Sequence, residues 1–354
     1  MLFYFDIEDG ELSRIDIALL EERVSMLMRA HRDGRHLVVL SRRTSNWLIN
    51  SEIRMGGNDF ATLKTLGSQV TQNGNLRQYA PFFIKLSPPG VSVGIVRDNE
   101  INVPLDFPFF EQLLMKAVLV VENIENDNEL LRVIFNGISS SYCWNFIAYE
   151  PTHAGGSSGV PVSKSYINQH RIVFTVLDSD RRAPNYNSTA FSKLKSLSGR
   201  SSWPLFFFDV WPCLELENIL TLPVLETLQS PDSRVCLDHL RMMHEVDRLS
   251  HVNPAEQYQY FFDMKEGLRA SKIIKLTDEV VIKWLNEKMA KAGLELNALD
   301  IPGFGENLIS QFSKCHRAQQ QFHSVIRSDS WLSVFGDIMR KIMWTFASAK
   351  RNFV

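Results

Sequence analysis

The sequence is poor in cysteine. Its four thiols, Cys143, Cys213, Cys236 and Cys315, are scattered over 354 residues with no Cys-x-x-Cys pair. That pattern excludes a disulfide framework and fits a reduced, cytoplasmic chain. Cys315-His316 with His323 is a weak cluster of soft donors, of the kind a helix carries incidentally. No apolar run approaches the roughly 20 residues needed to cross a bilayer, so no membrane partner is expected. The start, Met1-Leu2-Phe3-Tyr4-Phe5-Asp6, lacks the charged region and apolar stretch of a signal peptide. Charge of one sign is missing too: the formal net charge is -2, which argues against a polybasic nucleic-acid binder while leaving room for a local basic face. No Gly-x-x-x-x-Gly-Lys-Ser/Thr occurs, so the chain has no P-loop ATPase of its own.

What is present belongs to a folded protein. Hydrophobic residues make up 45% and charged residues 22%, so large-scale disorder is not expected, and the length accommodates two or three domains. Residues 1–108 read as an α/β unit without a catalytic pattern. It has a helical stripe from Ile17 to Met28, strands at His36 to Leu40, Phe82 to Leu86 and Val91 to Val96, and a Ser87-Pro88-Pro89-Gly90 turn. Residues 109–225 alternate strand and helix: strands at Ala117 to Val121, Trp144 to Ala148, Ile172 to Leu177 and Trp203 to Val210, and a helix on Leu130, Leu131, Ile134, Phe135 and Ile138. Such alternation implies βαβ units and a mainly parallel sheet. Residues 226–354 read as helical. One helix starts at Thr277-Asp278-Glu279, and the last carries Trp331, Phe335, Ile338, Met339, Ile342 and Phe346, a stripe that is core or a docking surface.

The chemistry-bearing residues stand at strand ends. The strand ending at Val121 runs into Glu122, and the strand ending at Leu177 runs into Asp178-Ser179-Asp180. In an open α/β sheet the crevice outside the carboxyl ends of the strands binds ligands. Alternate residues of an extended chain point the same way, so Asp178 and Asp180 are expected to face one ion. Glu217, after the next strand, and Asp127, shortly after Glu122, are further ligand candidates. Hard carboxylate oxygens without Cys or His suit magnesium, with manganese as a substitute. Alone, each of these acids reads as a helix cap or a turn.

The charge around them points to phosphate. Between Pro151 and Arg200 the only acids are Asp178 and Asp180, against Lys164, Arg171, Arg181, Arg182, Lys193, Lys195 and Arg200. Arg181, Arg182, Lys193 and Lys195 are candidate nucleic-acid contacts, and the loop at Gly155-Gly156-Ser157-Ser158-Gly159 offers backbone amides to a phosphate. A solvated helix face and a flexible turn are the plainer readings of the same residues.

The series Val120-Val121-Glu122, Gly155-Gly156-Ser157 and Leu177-Asp178-Ser179-Asp180 resembles the Toprim domain of topoisomerases, primases and OLD-type nucleases. Glu215-Leu216-Glu217-Asn218 is similar to the Glu-Asn element of standalone Toprim proteins in bacterial anti-phage systems. The resemblance covers the middle third of the chain and departs at Asn123, where the family has glycine. It implies a Toprim-like, mainly parallel α/β core acting as a magnesium-dependent nuclease on DNA or RNA. Glu122, Asp178 and Asp180 would be catalytic, with Glu217 and Asp127 beside the metal. Asp127 has Glu125 as competitor for its place, and Lys265 is a candidate for the lysine that OLD-type nucleases use. A defence setting with a separate regulatory partner, possibly an ATPase, also follows from it. The rivals are a non-enzymatic partner- or nucleic-acid-binding scaffold and a primase-like nucleotidyl transferase.

Overall fold

In the computed structural model, residues 1–97, 99–139, 146–155, 158–228, 233–269 and 278–351 are described. Cys143, Trp144, Gly156, Ser157 and Thr277 lie outside them. The first sheet is built from β1 (Leu2–Phe5), β2 (Leu37–Leu40), β3 (Phe83–Ser87), β4 (Gly94–Arg97) and β5 (Glu100–Pro104), ordered β2-β1-β3-β5-β4. All pairs are parallel except β4 with β5. The helices α1 (Ile17–Arg32), α2 (Arg42–Asn50) and α3 (Gly57–Ser68) flank it.

Two of these strands, β1 and β5, have no counterpart in the sequence reading. The four buried residues of β1 form a run too short for periodicity to classify. In β5 the charge of Glu100 breaks the apolar pattern, and Lys85 on the neighbouring strand neutralises it at 3.3 Å.

The second sheet holds β6 (Val118–Val121), β8 (Glu150–His153), β9 (Val173–Leu177) and β10 (Phe206–Val210) in the order β10-β9-β6-β8, all parallel. The central strands β6 and β9 are buried at every position, as the apolar runs Val-Leu-Val-Val and Val-Phe-Thr-Val-Leu require when both faces are covered. One expected strand is corrected. Within Trp144 to Ala148, only β7 (Phe146–Ile147) forms among the described residues, and it pairs antiparallel with β13 (Ala347–Ser348) instead of joining the main sheet. The sheet strand is β8, whose Pro151 and half-exposed side chains suit an edge, where a missing N–H costs least.

Three helices connect these strands: α4 (Ile124–Ser139) after β6, α5 (Gly159–Asn168) after β8 and α6 (Thr189–Arg200) after β9. With right-handed crossovers, the order β10-β9-β6-β8 sends α4 to one face and α5 and α6 to the other. The adjacent strands β6 and β9 therefore send their chains to opposite faces, which opens a crevice at their carboxyl ends.

The C-terminal region contains α7 (Arg234–Leu249), α8 (Glu279–Lys291), α9 (Leu308–Lys314), α10 (His316–Val325) and α11 (Asp329–Thr345), with the short pair β11 (Gly267–Arg269) and β12 (Asp300–Pro302). The helices α9 and α10 pack on α4 and cover that face of the sheet. The stripe on α11 is core: Trp331, Phe335, Ile338, Met339, Ile342 and Phe346 are all buried, which removes it as a docking surface. Among the described residues, no helix is long and apolar enough to cross a membrane. The architecture is thus α/β, with a mostly parallel sheet core and a helical C-terminal region.

Candidate catalytic carboxylate site

Glu122 and Asp178 leave β6 and β9 at the same edge of the sheet, flanking the crevice. Val118, Leu119 and Val120 pair in register with Val173, Phe174 and Thr175, so strand pairing itself carries the two acids to neighbouring positions. The start of α5 packs on the end of β9: a Cβ at Gly159 would stand 2.7 Å from Leu177 Cδ1, so glycine is what lets the helix approach directly before Asp178.

Asp178 is the centre of the cluster. Its Oδ1 accepts the Leu216 N–H at 2.9 Å, which ties β9 to the 3-10 turn Leu216–Ile219. Burial raises its pKa well above the usual carboxylate range, and Asp127, Glu217, Glu122 and Glu215 push it in the same direction. Glu122 is raised by burial and by Asp180, against a hydrogen bond from the Asp178 backbone N–H. Asp127 is buried, accepts the Asn123 N–H at 2.9 Å, and is raised to about 7 by burial and then by Glu217 and Glu122. Its rival Glu125 is exposed. Helix phase explains this, because Asp127 shares the inward face of α4 with Leu130, Leu131 and Ile134.

The turn bearing Glu217 is fixed by Asn218, whose Nδ2 donates to Gln259 O at 2.7 Å and Phe262 O at 2.8 Å. Asn218 Oδ1 accepts the Glu215 N–H at 3.0 Å. The following loop, held by Asp263 Oδ1 accepting the Lys265 and Glu266 N–H groups, brings Lys265 to the acids. Lys265 Nζ stands 3.1 Å from Glu217 Oε1 and 3.4 Å from Glu215 Oε2. Burial alone would lower its pKa, but the two carboxylates more than offset that and hold it charged. Glu215 itself, raised to about 7 by burial, is a member of the cluster to which the sequence reading gave no role.

The arrangement at Asp180 differs from the extended geometry expected of it. The backbone turns into the left-handed region there (φ 55), and Ser179 between the two acids is buried with its Oγ donating to Cys213 O. Asp180 is exposed and acts on the cluster through Glu122 rather than beside Asp178.

The basic residues divide. The Arg181 guanidinium lies over the Phe261 ring at 5.9 Å and is half-buried, and Arg182 borders a small cavity with Asp263 and Arg269. Lys193 and Lys195 stand exposed on α6. Gly155 adopts φ 58, the left-handed turn that glycine permits; the rest of that loop's first half, Gly156 and Ser157, lies outside the described residues.

Among the described residues, no group of three or more His, Cys, Asp or Glu side chains is arranged as a metal cage. The donor set nonetheless fits a hard cation. It is all oxygen, Lys265 is the one cation among the described residues that is ion-paired with its members, and Glu215 Oε2 is buried without a hydrogen-bond partner beyond its long ion pair. Magnesium keeps most of its waters and needs only one or two protein carboxylates. Compared with protein-family models, curated proteins and solved structures, the chain matches none of them.

Proposed function

We propose that the chain is a divalent-metal-dependent nuclease with a Toprim-like core, cleaving phosphodiester bonds of DNA or RNA. One observation carries the reading: acids from three chain segments, Glu122 with Asp127 at the β6–α4 junction, Asp178 after β9 and Glu217 in the 3-10 turn, converge on the β6–β9 crevice, where Glu122, Asp127 and Glu217 all raise the proton affinity of Asp178. Ordinary stability does not call for such crowding, since uncompensated buried carboxylates destabilise a fold. Perturbed acids in a crevice are a mark of functional sites.

Glu122, Asp178 and Glu217 would hold magnesium or manganese, with Asp127 and Asp180 around them. The bound metal supplies activation of water and stabilisation of the leaving oxygen. Glu122, half-buried and with raised proton affinity, would take a proton from the attacking water or return one to the leaving group. Lys265 holds Glu217 and Glu215 in place through ion pairs at 3.1 and 3.4 Å. The resemblance supplies the setting: an anti-phage effector whose trigger, lacking a P-loop here, resides in a separate regulatory partner.

A scaffold reading has its own support, because Asp178 and Asp127 each accept a backbone N–H as structural caps do. Calorimetric titration with manganese separates the two. A nuclease binds the ion in a manner lost in Asp178→Asn and cleaves labelled DNA or RNA with magnesium or manganese, falling by roughly 100-fold or more in Asp178→Asn and Glu122→Gln. Wild-type rates in both variants would remove the assignment.

A further inference from the structure

The helices α5 and α6 lie side by side on the face of the second sheet opposite α4. Between them runs a cleft of about 740 Å³. Three cations line it, Lys164 from α5 and Lys193 and Arg200 from α6, together with the hydroxyls of Thr189, Ser192 and Ser196. Its floor is apolar, formed by Val160, Ile167 and Leu197. No acidic side chain lines it, and none of the three cations is paired with a carboxylate among the described residues.

The position of the cleft gives it a direction. Val160 and Thr189, at one end, belong to the first turns of α5 and α6, which follow the carboxyl ends of β8 and β9, the edge of the sheet at which Asp178 stands. Asn168, Arg200 and Ser201 mark the other end, about 15 Å away along a ten-residue helix. Lys193 and Arg200 are two helical turns apart and so stand in line along that path.

We propose that this cleft is the channel through which one strand of nucleic acid reaches the carboxylate site, with its phosphates held by Lys164, Lys193 and Arg200. The direction of travel rests on the nuclease reading above; the binding itself does not. A positive groove that tracks a backbone, with apolar surface for sugars and bases, is how proteins take single strands without reading sequence. The volume is that of a small-ligand pocket, which admits a few nucleotides of one strand and excludes a duplex. The basic stretch thereby divides: Arg181 and Arg182, turned toward Phe261 and Asp263, are outside the channel, and Lys164, from a different helix, is inside it.

Fluorescence anisotropy with labelled single-stranded DNA and RNA oligonucleotides, in EDTA and with the full chain, tests this. The tighter of the two identifies the natural strand. The double variant Lys193→Ala/Arg200→Ala should bind about tenfold or more weakly, and its salt dependence should flatten by about 1.4 in log–log slope, at ~0.7 per lost phosphate contact. Lys164→Ala should weaken binding in the same sense, while Lys64→Ala on α3 should not. Circular dichroism melting confirms that these surface variants fold. Unchanged binding in the double variant, equal loss from Lys195→Ala, equally tight duplex binding, or no oligonucleotide binding at all would each overturn the channel. Two readouts keep the proposals apart: anisotropy in EDTA reads the channel alone, and cleavage with magnesium or manganese reads the nuclease. A chain that binds through the cleft but never cleaves sinks the nuclease and spares the channel, and a chain that cleaves with the double variant intact does the reverse.

Discussion

Lys265 Nζ lies 3.1 Å from Glu217 Oε1 and 3.4 Å from Glu215 Oε2, so a single ammonium stands against two carboxylates that repel each other and Asp178. Glu122, Asp127 and Asp178 add further carboxyl groups to the same crevice. The site therefore carries an unbalanced negative charge held in place by the fold.

Lys265→Ala removes that ammonium and leaves Glu215 and Glu217 uncompensated. We expect a loss of about 1–3 kcal/mol at pH 8, measured by urea unfolding. At pH 5 the loss should shrink, because Glu215, with its pKa raised to about 7, is then protonated. A pH-independent loss would show that Lys265 acts through packing alone.

Asp127 has a pKa raised to about 7. Between the ordinary carboxylate value and that figure the folded protein holds a proton that the unfolded chain has lost, so stability falls as pH rises through this window. Asp127→Asn keeps an acceptor for the Asn123 N–H and drops the charge. It should stabilise the metal-free protein at pH 8 by roughly 1–3 kcal/mol and change little at pH 4. Millimolar magnesium should raise the melting temperature of wild type more than that of the variant. A variant less stable than wild type at pH 8 would mean the charge is already balanced.

His239 behaves with the opposite sign. It is buried, its Nε2 pairs with Tyr258 Oη at 3.0 Å, and burial lowers its pKa to about 4. As pH falls from about 6.5 to 4 the unfolded chain takes up a proton that the folded one refuses, and stability is lost, on the order of 3 kcal/mol. His239→Gln should flatten that part of the stability–pH curve. An unchanged slope would assign it to another group.

Phe335 on α11 is fully buried, its ring 4.9 Å from that of Trp331 and 5.4 Å from that of Tyr260. Phe335→Ala should cost about 3–5 kcal/mol in chemical unfolding. A cost below ~1 kcal/mol would place this helix outside the core.

Much of the site could be read locally. Glu122 and Asp178 follow apolar runs that form buried strands, and Ser41, Asp278 and Ser328 cap helices as their type favours. The strands missed were β1 and β5 in the first sheet and β8 in the second. β8 is Glu-Pro-Thr-His, with no apolar pattern at all, and it joins the sheet because β6 presents a free edge to it. Lys265 was equally opaque, since a lysine in a polar turn carries no periodicity, and only the hydrogen bonds of Asn218 and Asp263 bring it to Glu217.

By itself the sequence determined an α/β chain with acids at the ends of two apolar strands and a basic, acid-poor segment beside them, because apolar runs, caps and charge spacing are properties of neighbouring residues. Only the tertiary structure decided that β6 and β9 are adjacent, that Asp127 and not Glu125 faces inward, that Lys265 closes the cluster, and that Lys164 joins Lys193 and Arg200 along one cleft. Those outcomes depend on strand order and helix packing between distant segments, where free energy comes from contacts that local spacing does not encode.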